Sequence, residues 1–251
     1  MKRVTLMMSA VLVAGYAGCA VSAQSSQETF KSPEAASEAL FTAVRDRDDP
    51  ALARILGAGR ELLSSGDAAE DKADQERFVR KYREMHRLAR EPHGDRLLYV
   101  GAENWPFPVP LTARNGAWRF DADAGLQELR FRQIGENEVT AIALCHTLLA
   151  AASSGRGDAS DSLTGEVLAA TKDGNNTAFH GYQFRILNTR GGLGFIAYPA
   201  VYGISGVMTF AIGADDSVRQ KDLGEDTARV ASATTGAEVD SRWTPAEPTP
   251  L

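Results

Sequence analysis

The sequence predicts an α+β protein: N-terminal helices followed by a small antiparallel sheet, then a long helix and a second antiparallel sheet. Three observations carry this. Apolar residues recur at helical spacing early in the chain (Ala36, Ala39, Leu40, Ala43, Val44) and again at Val139, Ile142, Ala143 and Leu149. Short β-type runs follow each helical stretch, broken by Gly, Pro and Asn. Helices then strands, repeated once, is the order of segregated α+β units rather than of a parallel α/β sheet. Two halves, 24–130 and 131–235, are expected to meet near residues 125–135, with a Pro-containing tail at 236–251.

The elements follow in order. Residues 24–29 are polar and are expected to be disordered. Ser32 then caps a helix whose first turn holds Pro33, where a missing N–H costs nothing. Asp49 and Pro50 repeat that start for a shorter helix, which Gly57 stops. A third helix is expected over 70–90, with Phe78, Tyr82, Met85 and Ala89 on one stripe. Strands are expected at 96–101, 107–113 and 117–120. Arg114-Asn115-Gly116 marks a hairpin, because Asn-Gly readily takes the positive φ of tight primed turns. A further helix begins after Gly135, and the Gly-, Ser- and Asp-rich tract 153–176 reads as a loop. Strands at 182–186, 194–198, 206–212 and 217–223 complete the second sheet, before a terminal helix at 225–233 and an extended or mobile tail.

The first residues bear on location. Lys2 and Arg3 precede an apolar stretch that ends at Gly18, too short to span a bilayer as a helix of ~20 residues. Val21-Ser22-Ala23 places small residues for cleavage before Gln24, so residues 1–23 read as a secretory signal peptide. Tyr16-Ala17-Gly18-Cys19 is the competing reading, in which Cys19 becomes a lipid anchor; Tyr16 fits that motif poorly. Removing 1–23 takes the formal charge from −6 to −8, so nothing favours nucleic acid as a partner. No second apolar run reaches membrane-spanning length, and no transmembrane segment is expected in the mature chain. Cys145 is the single remaining thiol, so no intramolecular disulfide is possible.

Chemistry-bearing motifs are weak throughout. His86, His93, His146 and His180 form no close metal pair, and Cys145 and His146 point about 100° apart on a helix. Gly203-Ile204-Ser205-Gly206-Val207 approaches a nucleophile elbow, but Val207 replaces the last glycine and a strand follows. Gly192-Leu193-Gly194 lacks the helix that a dinucleotide loop opens. Asp173-Gly174-Asn175-Asn176 lacks the sixth-position Gly and twelfth-position acid of a calcium loop. Asp121 with Asp123, and Glu136 with Glu138, read as caps and solvated charges. No catalytic residue, metal ligand or cofactor is therefore assigned. The most unusual string is Trp105-Pro106-Phe107-Pro108-Val109-Pro110, which removes every second N–H and can only be an edge strand or arm. Its rings pack inward, or with His180, Tyr182, Tyr198 and Tyr202 form a ligand-binding strip.

Several strings together resemble an uncharacterised exported bacterial family, domain-of-unknown-function family 2950. They include the segments 30–36, 63–67, 105–111, 118–121, 134–138, 180–182, 198–210 and 221–224, spread over nearly the whole mature chain. The resemblance implies export and an α+β fold, and no mechanism. In the family a longer, aromatic and proline-bearing insert precedes the His-Gly-Tyr strand, where this chain has only the polar tract 153–176. The second half is also weakly similar in architecture to pilin and pseudopilin heads. The expected function is a periplasmic or envelope-associated binding or accessory module, partnered by an envelope protein or small ligand. The alternative is a hydrolase acting on envelope material through carboxylates or Cys145 with His180.

Overall fold

The computed structural model describes residues 27–57, 66–153, 163–172, 177–189 and 191–246. The signal segment 1–23, Cys19 and the calcium-like string at 173–176 lie outside them. Six helices and ten strands form two five-stranded antiparallel sheets among the described residues, an α+β architecture as expected.

The caps written into the sequence start the chain. Ser32 accepts the Ala35 N–H at 3.1 Å to open α1 (Pro33–Asp46), and Asp48, one residue before the expected cap, opens α2 (Asp49–Leu56). Gly57 closes α2 at φ 68°. Residues 27–29 are packed rather than disordered. The Gln27 amide donates to the carbonyls of Ile55 (3.2 Å) and Phe120 (2.6 Å), and Glu28 N–H bonds Arg54 O.

The third helix, α3 (Ala68–Glu84), ends six residues before its expected limit. Residues 86–90 are instead strand β1 (His86–Arg90), paired antiparallel to β2 (Arg96–Val100) with His86 opposite Val100. The local sequence there is compatible with a helix, and the waiting edge of β2 decides against it. The proline string forms β3 (Trp105–Pro106), a two-residue edge strand on β2, and then crosses to β4 (Leu111–Arg114). Of the strand expected at 107–113, only 111–113 is strand, within β4. Asn115 (φ 53°) and Gly116 (φ 78°) make the predicted tight turn into β5 (Ala117–Phe120). Leu40, Ile55, Leu98, Leu111 and Phe120 fill the core between these helices and the sheet.

Helix α4 (Ala122–Ser153) begins fourteen residues before the expected start after Gly135. Asp121 caps it, accepting Ala124 N–H at 3.1 Å. Gly125 and Gly135, read as an inter-half boundary, lie inside the helix, and so does the boundary at 130/131. Gly125 is needed for contact: a Cβ there would stand 2.8 Å from Val109. The tract read as a loop also contains helix α5 (Leu163–Lys172), with Val167 and Leu168 buried.

The second sheet is a plain meander of β6 (Tyr182–Thr189), β7 (Gly192–Pro199), β8 (Met208–Ile212), β9 (Val218–Asp222) and β10 (Thr244–Pro245). Leu144, Cys145 and Leu148 of α4 cover one face, packing on Phe184, Phe195 and Phe210. The other face meets α6 (Thr227–Ala233) and Trp243 through Leu187, Ile196 and Tyr198. Because both faces are covered, β7 is buried along six consecutive residues. The tail to residue 246 is accordingly ordered, with Trp243 buried and β10 paired to β9.

Candidate functional site

The clearest convergence of motif residues lies where β6 begins, β7 ends and β8 begins. Phe179 and Tyr182 exchange backbone hydrogen bonds (2.7 and 3.0 Å) across a two-residue turn at His180 (φ 46°) and Gly181 (φ 74°). That turn presses against α4 and the loop after β7. A Cβ on Gly181 would lie 2.7 Å from Asn137 Nδ2 and 2.9 Å from Ser205 Cβ. Asn137 Nδ2 donates to Ser205 O at 2.8 Å, and Gln133 donates to Asn137 Oδ1 at 2.9 Å.

Glu138 is the second tie. Its Oε1 accepts the N–H groups of Val207 and Met208, both at 3.0 Å, and so fixes where β8 starts. Tyr182 donates its hydroxyl to Met208 O at 2.9 Å and lies 3.5 Å from Glu138 Oε1. Burial, then the charge of Glu138, push the Tyr182 phenol well above its ordinary pKa, so it keeps its proton. A Cβ on Gly206 would collide with that phenol, which explains the glycine.

Loop 200–206 closes on itself. Ser205 Oγ accepts Val201 N–H at 3.0 Å and donates to Val201 O at 3.2 Å, while Gly203 N–H bonds Gly206 O at 2.8 Å. The Gly-Ile-Ser-Gly string is therefore a turn whose serine is occupied by its own backbone. Val201 (51 %) and Ile204 (58 %) stand exposed on this stiffened loop, and Tyr202 bonds Asp222 at 3.2 Å.

The six residues expected to form a strip do not form one surface. Tyr182 and Tyr198 are buried, and they face opposite sides of the second sheet, Tyr182 toward α4 and Tyr198 toward α6. Successive register positions put them there: Tyr182 opposes Pro199, and Tyr198 opposes Gln183. Trp105 and Phe107 belong to the first half. Phe107 is half-buried between Phe78 (5.7 Å) and Phe120 (6.1 Å). Trp105 is partly exposed and holds Arg132 of α4 at 5.3 Å from its ring. His180 is exposed and Tyr202 partly so. Surface cavities of about 340, 670 and 470 Å³ lie elsewhere, and none of the three is lined by these six residues.

The chain matches the family model described as Protein of unknown function (DUF2950) over residues 27–162 and 152–246. It belongs to that family. No curated protein and no solved structure matches it. The strings 134–138, 180–182 and 198–210, on which the resemblance rests in part, meet at this corner of the second sheet. Their roles here are structural ties and turn glycines.

Cys145, His146 and His86 are enclosed or engaged, while His93 is exposed. Cys145 is fully buried, and burial pushes its thiol up to about 12. His146 Nδ1 pairs with Asp216 Oδ1 at 2.8 Å across the β8–β9 turn. His86 donates Nδ1–H to Tyr82 O at 2.9 Å and stacks on that ring. No group of three or more His, Cys, Asp or Glu able to hold a metal occurs among the described residues. No helix among them is long and apolar enough to cross a membrane.

Asn137 and Arg185 were missed from sequence. Asn137 had a signal, since it is a polar residue on the buried stripe between Ile134 and Ala141. Arg185 had none. It crosses the sheet face to bond the carbonyls of Ala231 (2.7 Å) and Thr234 (2.5 Å), capping α6.

Proposed function

We propose that this DUF2950 member is exported to the periplasm or cell envelope and acts there as a non-catalytic binding or accessory module. Export rests on the composition of residues 1–23, with cleavage before Gln24. The binding reading rests on one observation at the motif corner. Side chains that could do chemistry there hold the backbone, while two aliphatic side chains, Val201 and Ile204, are held out on a stiff loop beside His180. A rigid apolar presentation of this kind suits docking of an envelope protein or small ligand, because little ordering entropy is lost on contact. Against the thiol route of the hydrolase alternative stands the enclosure of Cys145, whose thiol is pushed up by burial; the carboxylate route is untouched by this.

The test joins both parts in living cells. Intact mass of the purified mature protein is expected to begin at Gln24, in the envelope fraction. A photoreactive residue at 204 is expected to give one discrete adduct there, lost when Val201→Asp is added. Uncleaved protein in the cytoplasm would end the export reading, and a diacylglyceryl Cys19 would replace it with a lipoprotein. An adduct that survives Val201→Asp, or none at all, would remove loop 200–206 as the docking face.

A further inference from the structure

The largest of the three cavities, about 670 Å³, lies at the other end of the second sheet, on its α6 side. That volume is within the ~300–1,000 Å³ of small-molecule sites. Leu187, Ala211 and Val239 give it an apolar floor continuous with the core beneath α6. Its rim includes Gly191, Gly213 and Gly236, so backbone rather than side chain borders the opening. Gly236 lies so close to the Asn188 and Thr189 backbone that a Cβ has no room, which fixes the segment roofing one side.

Two opposite charges line this cavity without pairing. Asp215 is anchored by Ser217, whose Oγ donates to it at 2.8 Å, and that bond with the nearby Arg219 charge keeps the carboxyl below its ordinary range. Arg219 projects from β9, on the face opposite the buried Val218. It has no ion-pair partner within 4.0 Å among the described residues. The other acid of the rim, Asp240, is taken by Arg242 at 2.8 Å. An arginine and a carboxylate lining one cavity attract each other. Here the Ser217 anchor and the strand position of Arg219 hold them apart.

We propose that this cavity binds the zwitterion of a short aliphatic peptide. Arg219 takes its terminal carboxylate through the planar guanidinium fork, and Asp215 takes its ammonium. The aliphatic side chains lie on Leu187, Ala211 and Val239. A ligand with both charges satisfies both groups at once, whereas a simple anion meets Asp215 and a simple cation meets Arg219. The proposal depends neither on export nor on the docking face at the opposite end of the sheet.

The experiment is a titration of the purified protein with the dipeptide Leu-Leu, followed through the amide resonances of Gly191, Gly213 and Ala237. Saturable shifts at these amides are expected. N-acetyl-Leu-Leu and Leu-Leu amide, each lacking one charge, are expected to bind about tenfold or more weaker. Arg219→Gln and Asp215→Asn are expected to lose about tenfold or more in affinity at unchanged melting temperature. Should Arg219→Gln disturb the fold, Arg219→Lys serves in its place: it keeps the charge, loses the fork and is expected to bind at intermediate strength. No saturable shift up to about 10 mM, beyond ordinary weak specific binding, would overturn the proposal. So would equal affinity for the dipeptide and its capped forms, or undiminished affinity in the variants.

Discussion

In the first half, helices meet one another and the sheet side through rings: Phe41 of α1 stacks on Tyr82 of α3 at 4.5 Å, Phe78 meets Phe107 at 5.7 Å, and Phe107 meets Phe120 at 6.1 Å. The second half also has an apolar core, but side chains bonding backbone decide its details. Asn137 and Glu138 reach the β7–β8 loop across 68 to 70 residues of sequence, and Arg185 reaches the end of α6 across 46 and 49. Ring packing is tolerant of small shifts, because dispersion and burial are not directional. A carboxylate holding two chosen N–H groups is not, because a shift of one residue leaves them unpaired. The first half is thus specified mainly by shape, with Gln27 tied to the carbonyls of Ile55 and Phe120, while the second half relies more on such ties, at Asn137, Glu138 and Arg185.

The largest expected effect tests the shape-specified half. Phe120 is fully buried, and Phe120→Ala is expected to cost about 3–5 kcal/mol in denaturant unfolding. A loss under about 1.5 kcal/mol, the scale of a tolerated core swap, would show that the ring network is not what holds these helices. Glu138→Ala probes the other half. Losing two bonds to a charged acceptor is expected to cost about 2–3 kcal/mol. Hydrogen exchange is expected to quicken at Val207 and Met208 while Leu98 and Val100 keep their protection. Loss of protection in both halves would break the comparison, since the tie would then not be local. Glu138→Gln, which keeps one acceptor oxygen, is expected to fall between.

The smallest effect concerns Cys145. Cys145→Ala is expected to cost about 1–2 kcal/mol at neutral pH, from a small cavity. The folded thiol sits at about 12 against an ordinary 9.0. Above pH 9 the unfolded chain therefore ionises first. Stability is fully present below that pH and is lost as pH rises from about 9 toward 12, by roughly 1.4 kcal/mol per unit at most. The alanine variant lacks this term, so the gap between the two proteins is expected to close about one to two pH units above 9 and then to reverse. Tyr182 adds a loss of the same sign to both and cancels. A gap that stays constant with pH, or rapid labelling of the native thiol, would mean that solvent reaches the interior of α4.

Local chemistry made much of this fold legible. Ser32, Pro33 and Gly57 bound the first two helices, with the second cap one residue before the expected Asp49, and Asn115-Gly116 turns a hairpin, because each acts within a few residues. What failed was decided at a distance. His86–Arg90 becomes a strand only because β2 presents an edge, and Gly125 sits within a helix because Val109 approaches it. Helix α5 was hidden by its polar surroundings, and Trp243 was lost in a proline-bearing tail although it closes the far face of the second sheet. The strip of aromatic residues failed for a simpler reason. Alternation along β6 and β7 sends Tyr182 and Tyr198 to opposite faces, which their register shows and their spacing alone did not.

The unbroken run of α4 has a consequence for how this chain can vary. Its first turns are gripped by the first half, through Val109 at Gly125 and Pro106 O at Arg132, and its later turns by the second sheet. A shaft clutched at both ends transmits phase. Each residue inserted between 132 and 137 would turn one set of contacts by about 100° and move it ~1.5 Å along the axis relative to the other. Length can change freely only past the second clutch, and the two matched stretches of the family model overlap at 152–162, where α4 ends.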